Sequence, residues 1–460
     1  MLNRLAKLLA FLVMVGALGH TALARQGGPR PEVRAHIDAF VSALNGTADQ
    51  WERMATAHFA PSLLEARPAQ ERRAMHDRLR ADFGTISVGA VTRDGPDAPL
   101  RLAVTGSKGQ KGVIELTLES AAPFRIAGIG IDVGRAADRG GDLPPVPING
   151  KMTNGELARA LDAYLARLTA ADVFSGVALV ARSGEPVFHR AYGLADRSNA
   201  IPNTTRTRFN LGSINKIFTQ TAIEQLIAQG RITRGTTLGS VLQDHPQEVT
   251  RAATIDQLLE HTAGVPDFFG EEFGNTPKAR FRSNADYYQF VASRPPLFAP
   301  GARNQYCNGC YITLGQVIAK VSGRSYEDYV TEHIFRVAGM TGAGMLQSDA
   351  IVPDVAQGYT RRDGPLRSNV FMRGASGSAA GGGYATAADL LAFDTAMKAG
   401  KLLDPARVAT FYAGRGIAGG APGTNAVMES GPIWTVIVLT NLDPDAGESI
   451  GVAISAALRH

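Results

Sequence analysis

The chain has 460 residues, enough for two or more cores, and its 45% apolar and 19% charged side chains suit packed globular domains rather than disorder, fibres or a polytopic membrane protein. The formal charge of +5 falls by two, to +3, if Arg4 and Lys7 are removed with the leader segment described next, and so small an excess of positive charge gives no support to a nucleic-acid partner. Two cysteines in such a length exclude a disulfide framework and a four-cysteine zinc site.

Arg4 and Lys7 precede the apolar run Leu8 to Leu18, which has the length of a signal-peptide core and is too short to span a bilayer. Ala22-Leu23-Ala24 then supplies the small residues a signal peptidase requires. Residues 1–24 are therefore expected to be a signal peptide, with a mature chain beginning at Arg25 that is periplasmic or secreted. No cysteine follows the run to carry a lipid anchor. No later stretch reaches about 18 apolar residues, so no membrane span is expected in the mature chain.

Residues 30–134 change character once. Apolar residues recur at helical spacing through Val33 to Leu44, Trp51 to Phe59 and Leu63 to Phe83, with Gly84 closing the third segment. Four β-like runs follow, Thr85 to Thr92, Leu100 to Thr105, Gly112 to Leu118 and Phe124 to Val133. Helices followed by a meander predict a small α+β domain with helices on one face of an antiparallel sheet. The order of these elements resembles a cystatin- or NTF2-like domain. Ligand capture, docking to an unidentified protein partner, and a spacer role without a site of its own are all open to it.

Residues 135–150, RAADRGGDLPPVPING, lack apolar periodicity and have linker composition. From 151 to 460 a second domain is expected. Glu156 to Leu168 reads as a helix, and Phe174 to Ala181 and Glu185 to Tyr192 as strands joined by a hairpin at Arg182-Ser183-Gly184. A mainly helical middle runs to about residue 400. Strands return at Ala426 to Glu429 and Ile433 to Leu439, and Glu448 to Leu458 closes the chain as a helix. Strands from the two ends around a helical insert predict an antiparallel sheet covered by helices.

Within the insert, FNLGSINKIFTQTAIEQLIAQG reads as a helix starting near Ser213 and closed by Gly230. Ser213 and Lys216 are three apart and share a helical face. Ser213 also lies in the first turn, where unpaired N–H groups can hold an oxyanion. A serine hydroxyl is a weak nucleophile until a base takes its proton, and a lysine kept neutral by burial can be that base. Further on, Tyr306 and Asn308 precede a helical pattern through Ile312, Leu314, Val317, Ile318 and Val321. A phenol can shuttle a proton beside lysine, and an amide can orient lysine and substrate.

Ser213-Ile214-Asn215-Lys216 and Tyr306-Cys307-Asn308 resemble the S-x-x-K and Y-x-N motifs of the serine β-lactamase and penicillin-recognising superfamily, above all its class C enzymes and their esterase relatives. TIDQLLEHTAG at Thr254 to Gly264, LGQVIAKVSGRSYEDYV ending at Val330 and GGGYATAADLLAF at Gly381 to Phe393 agree in the same order. The resemblance implies an antiparallel sheet flanked by helices beside an all-helical lobe. It implies Ser213 as acylated nucleophile, Lys216 and Tyr306 as the proton-transfer pair and Asn308 as their positioner. His261, in the family's H-T-[SA]-G stretch, is expected near the last turn of a helix in a structural role.

The family's third motif, K-T-G or H-x-G on a strand, aligns with Ile417-Ala418-Gly419-Gly420. Gly419 and Gly420 then line the substrate, and the N–H of Gly420 is the second oxyanion donor after that of Ser213. Ile417 stands where the family has a basic residue, which puts recognition of a substrate carboxylate, and with it β-lactam hydrolysis, in doubt. Cys307 and Cys310 can pair in an exported protein, whereas a thioredoxin-like redox site lacks its βαβ setting. Gly447-Glu448-Ser449-Ile450-Gly451 matches G-x-S-x-G, but only His460 follows it, short of the acid and histidine that an α/β-hydrolase elbow needs. Nine scattered histidines form no metal motif, so neither metal nor cofactor is expected. The expected protein is an exported serine hydrolase that works on carboxylic esters or peptide and amide bonds of small-molecule or peptide substrates. The alternative is a penicillin-binding-like sensor that binds and hardly turns over.

Overall fold

The computed structural model describes residues 30–93, 98–107, 111–133, 143–361, 364–412, 417–444 and 446–459. The expected signal peptide and residues 135–142 of the expected linker lie outside them. The chain forms two units that part between Asp132 and Val133.

In the first unit, α1 (Pro31–Leu44) begins with proline, whose missing N–H costs nothing at that position, and buries Val33, Ile37, Phe40 and Leu44. Helix α2 (Ala48–His58) starts at Thr47, which exchanges hydrogen bonds with Gln50 in a capping box. The expected single helix from Leu63 to Phe83 is two, α3 (Pro61–Ala66) and α4 (Ala69–Phe83). Pro68 caps α4, and it holds the preceding Arg67 in an extended conformation, as residues before proline prefer. Gly84, at φ 71°, ends α4 in a conformation that disfavours any side chain.

Strands β1 (Ile86–Thr92), β2 (Leu100–Gly106), β3 (Lys111–Leu118) and β4 (Ile126–Val133) then pair in chain order. Along β2, Leu100, Leu102 and Val104 are buried while Arg101 and Thr105 face water, the alternation of a sheet covered on one side. Phe40, Trp51 and Phe59 from the helical part and Ile114 and Leu116 from β3 are also in its core.

The second unit is built on a five-stranded antiparallel sheet. Its strands are β5 (Gly176–Arg182), β6 (Glu185–Tyr192), β7 (Ile417–Ala421), β8 (Thr424–Ser430) and β9 (Trp434–Thr440), in the order β7-β8-β9-β5-β6. The register sets Gly419 opposite Ala426, Ala426 opposite Leu439 and Leu439 opposite Val177. GVALVA in β5 is an unbroken apolar run because both faces are covered. Val177, Leu179 and Ala181 join Ala426, Met428, Ile437 and Leu439 in the core shared with the helical lobe. Ala178 and Val180 join Val427, Val436 and Val438 against α5 (Asn154–Ala170) and a terminal helix, Ala446–Leu458. Ser449 lies inside that terminal helix, not on a strand-to-helix elbow, so the G-x-S-x-G match carries no nucleophile geometry. Among the described residues, no helix is long and apolar enough to cross a membrane.

Candidate active site

Ser213 sits in a single 3-10 turn, Gly212–Asn215, that leads into helix α6 (Lys216–Ala228). The helix starts where the spacing predicts, near Ser213, with its first turn in the tighter 3-10 form. Gly212, at φ 51°, makes the sharp bend into the turn, and the backbone of β7 lies directly against it. A Cβ on Gly419 would overlap the Leu211 carbonyl oxygen and stand 2.7 Å from the Ser213 nitrogen, and a Cβ on Gly212 would stand 2.9 Å from the Gly420 nitrogen. Glycine at these positions is what lets the edge strand and the serine turn approach, so the Ser213 and Gly420 nitrogens flank one place.

Tyr306 and Asn308 reach the same place from another element, α7 (Asn308–Ser322), which Cys307 caps. Cys307 and Cys310 are joined by a disulfide across that first turn. The Cys307 sulfur also accepts the Cys310 N–H at 2.8 Å. Burial of Gly309 to Gly315 and of Val317 and Ile318 fixes the start of α7 in the lobe.

The Tyr306 hydroxyl donates to Ser213 Oγ at 2.7 Å, and Lys216 Nζ lies 3.1 Å from the same oxygen. Lys216 Nζ also donates to Asn308 Oδ1 at 2.8 Å and to the Ala380 carbonyl at 2.6 Å. The Tyr306 and Tyr311 rings stand 4.9 and 5.4 Å from the nitrogen. Only 7% of Lys216 is exposed. Burial pushes its ammonium down to about 7, against the upward pull of the Asp267 carboxylate. Loss of water raises the Tyr306 phenol above its ordinary value, and its hydrogen bond to Ser213 works the other way. The residue is 54% exposed, so water screens part of that rise.

The two acceptors decide what the lysine can do. A carbonyl oxygen and an amide oxygen can only accept, so a neutral Lys216 spends both N–H bonds on Ala380 and Asn308. Its remaining direction, toward Ser213, is the lone pair. The arrangement can therefore receive the serine proton when the lysine is neutral and cannot when it is an ammonium.

All six candidate residues, Ser213, Lys216, Tyr306, Asn308, Gly419 and Gly420, come together. Ile417 occupies the position aligned with the family's basic residue, half-buried on the Gly419 side of β7 and packed against the lobe core. His261 departs from expectation: helix Ile255–Leu259 has already ended, and His261 follows its cap at φ 61°. Its Nδ1 accepts the Cys307 N–H at 3.2 Å, and its ring lies 4.9 Å from that of Tyr306, so it braces the tyrosine instead of answering a helix dipole.

Two participants were missed by sequence reasoning. The Ala380 carbonyl leaves no side-chain signal, although the Gly381-Gly382-Gly383 run beside it allows the close approach; a Cβ on Gly383 would overlap the Asn215 amide. Asp267 receives the Asn308 Nδ2 at 2.8 Å, and it follows the H-T-A-G stretch closely enough to have been noticed. Among the described residues, no three His, Cys, Asp or Glu side chains converge on a metal-binding position.

Against known families and structures, residues 158–435 match the beta-lactamase family. PbpX of Bacillus subtilis (strain 168) is 33% identical over 230 residues, 50% of this chain and 56% of that protein. Esterase EstB of Burkholderia gladioli is 27% identical over 269 residues, 51% of this chain and 68% of that protein. The crystal structure of a penicillin-binding protein from Bacillus halodurans superposes with a TM-score of 0.58 at 29% identity, covering 63% of this chain and 98% of that one. The chain spans about half the length of the curated relatives it matches. With the fold, the motif order and the family match in agreement over the same span, this chain belongs to the beta-lactamase family, within the serine β-lactamase-related superfamily.

Proposed function

We propose that the protein is an exported serine hydrolase that opens carboxylic esters or amides through an acyl-enzyme. The observation that carries this reading is the position of Ser213 Oγ between the Tyr306 hydroxyl, at 2.7 Å, and Lys216 Nζ, at 3.1 Å. Neutral Lys216 takes the Oγ proton as the oxygen attacks the substrate carbonyl, whose oxyanion is held by the N–H groups of Ser213 and Gly420. Tyr306 passes its proton to the departing oxygen or nitrogen and regains one from the Lys216 ammonium. Water then attacks the acyl carbonyl by the same proton path and releases the acid.

The name of esterase EstB and the naming of the Bacillus halodurans structure for penicillin binding support ester and amide carbonyls as the substrate class. Ile417 refines it. With an apolar side chain in place of a cation, substrates whose carboxylate must be bound are disfavoured, and neutral esters are preferred over penicillins. Export is supported by the Arg4 to Ala24 leader pattern and by a Cys307–Cys310 bridge, which suits an oxidising compartment.

Intact-mass analysis after reaction with a fluorophosphonate tests the reading. The wild type should gain one adduct and Ser213→Ala none, and the same spectrum should place the mature N terminus at Arg25. An adduct on Ser213→Ala would overturn the assignment. Ile417 is the feature that favours the alternative of a binder with little turnover: an ester acyl adduct that persists instead of decaying would select it.

A further inference from the structure

Asp267 is held on three sides. Its Oδ1 accepts the Phe269 N–H at 3.0 Å, its carbonyl accepts Arg294 Nη1 at 2.7 Å, and its Oδ2 accepts Asn308 Nδ2 at 2.8 Å. The last contact settles the orientation of the Asn308 amide, because a carboxylate can only accept and therefore takes the NH₂ end. The amide oxygen must then face Lys216, where it receives an N–H at 2.8 Å. Were the amide reversed, its NH₂ would point at Lys216 and compete with the Ser213 hydroxyl for the lone pair.

We propose that Asp267 is a positioning residue for the acylation step: by clamping the Asn308 amide it directs the Lys216 lone pair at Ser213 Oγ. This inference rests on the proposed role of Ser213 as nucleophile. Asp267 touches Lys216 only through Asn308, so it acts on the reaction through another residue.

The groups that face Lys216 are few. Ser213 comes from the turn before its own helix, Asn308 and the Tyr306 and Tyr311 rings from the start of α7, and the Ala380 carbonyl from the glycine-rich loop. Behind the two tyrosines stands His261, whose Nδ1 accepts the Cys307 N–H and is therefore unprotonated at that nitrogen. Asp267 supplies the negative charge that favours the ammonium form of the lysine. Removing that charge, while keeping an acceptor for Asn308, should let the lysine lose its proton at lower pH.

The test is the rate of fluorophosphonate labelling of Ser213 from about pH 5 to about pH 9 in three proteins, the wild type, Asp267→Asn and Asp267→Ala. Asp267→Asn removes the charge but leaves one oxygen for the two donors, Phe269 N–H and Asn308 Nδ2, that the carboxylate serves, so its readout is the acid limb, which should move down by roughly one pH unit whatever its plateau. Below the limb its rate, as a fraction of its own plateau, should be up to about tenfold that of wild type. Asp267→Ala also frees the Asn308 amide, and its plateau should fall by roughly 10- to 100-fold. A lysine ¹³Cε titration, assigned through Lys216→Ala, reads the same shift without any turnover.

An unmoved acid limb and an unmoved lysine titration in a folded Asp267→Asn protein would overturn the inference, and so would an Asp267→Ala plateau equal to wild type. If Ser213→Ala abolishes labelling while Asp267→Asn moves nothing, this inference alone fails. If Ser213→Ala still labels, the hydrolase reading beneath it fails as well.

Discussion

The two faces of the five-stranded sheet are made from alternate residues of the same strands, yet they hold opposite kinds of interior. On one face Ala178, Val180, Val427, Val436 and Val438 meet Leu157, Leu161, Leu165, Ile450 and Ile454, an interior of hydrocarbon apart from the buried Tyr164 hydroxyl. On the other, the apolar residues continue into the helical lobe, and Lys216, Asn215, Thr219, Asn308 and Thr313 are buried beside them. A buried amine is expensive unless its hydrogen-bond positions are filled or it gives up its proton. The lobe fills those positions for Lys216 and burial pushes its ammonium down to about 7. The contrast shows where the fold places its chemistry: one face holds the sheet together, while the other accepts the cost of a buried base one turn from the edge strand.

Changes on the polar face should break the reaction and leave the fold. Lys216→Ala and Tyr306→Phe should each slow acylation by roughly 10² to 10⁴, measured as kcat/KM on a neutral ester. Because Lys216 titrates near 7, wild-type kcat/KM should fall about tenfold per pH unit as the lysine gains its proton below that point, and level off above it. The direction follows from the lone pair: acid removes it. A rate independent of pH between about 5 and 7 would separate Lys216 from the proton transfer.

On the apolar face the outcome should reverse. Leu161→Ala empties part of the interior under α5 and should cost about 2 to 5 kcal/mol of unfolding free energy in a denaturant titration, with kcat at low temperature unchanged. A large loss of kcat in the folded variant would mean that the two faces are coupled. The smallest effect is expected at Ile417. A charge-assisted hydrogen bond contributes about 1.5 to 3 kcal/mol. Ile417→His should therefore narrow the preference for a neutral ester over a penicillin by up to roughly tenfold, allowing for incomplete protonation of the histidine. A wild-type preference for the penicillin would show that a cation from elsewhere serves the carboxylate.

Much of the site was legible because its chemistry rests on side chains at short, fixed spacings. Ser213 and Lys216 are one helical turn apart, and Tyr306 and Asn308 flank a helix cap, so sequence distance stands in for spatial distance. That proxy fails for the Ala380 carbonyl, which any residue could supply, and for Asp267, which meets Asn308 across 41 positions of chain. The fold was legible where periodicity was long, as in α5 or β5. It was misread where one local residue outweighs the pattern. Pro68 splits an apolar repeat that otherwise runs on from Leu63 to Phe83. His261 lies past a helix of only five residues, too short for its end to be placed from apolar spacing.

The pairing of β5 with β9 also governs how the molecule can be made. Thr440 donates to the Ser175 carbonyl 265 positions away, and the strands on either side of that seam form the middle of the sheet. A ribosome delivers β5 and β6 early, as a lone hairpin whose β5 strand is apolar on both faces, and the strands that cover its open side arrive only near the end of synthesis. Joining ends so far apart is entropically costly and slow, so the nascent chain carries an unpaired, sticky edge for most of its elongation. Holding that edge away from other chains until β9 emerges is a task for the cell, and the yield of folded enzyme should depend on it more than on the stability of the finished sheet.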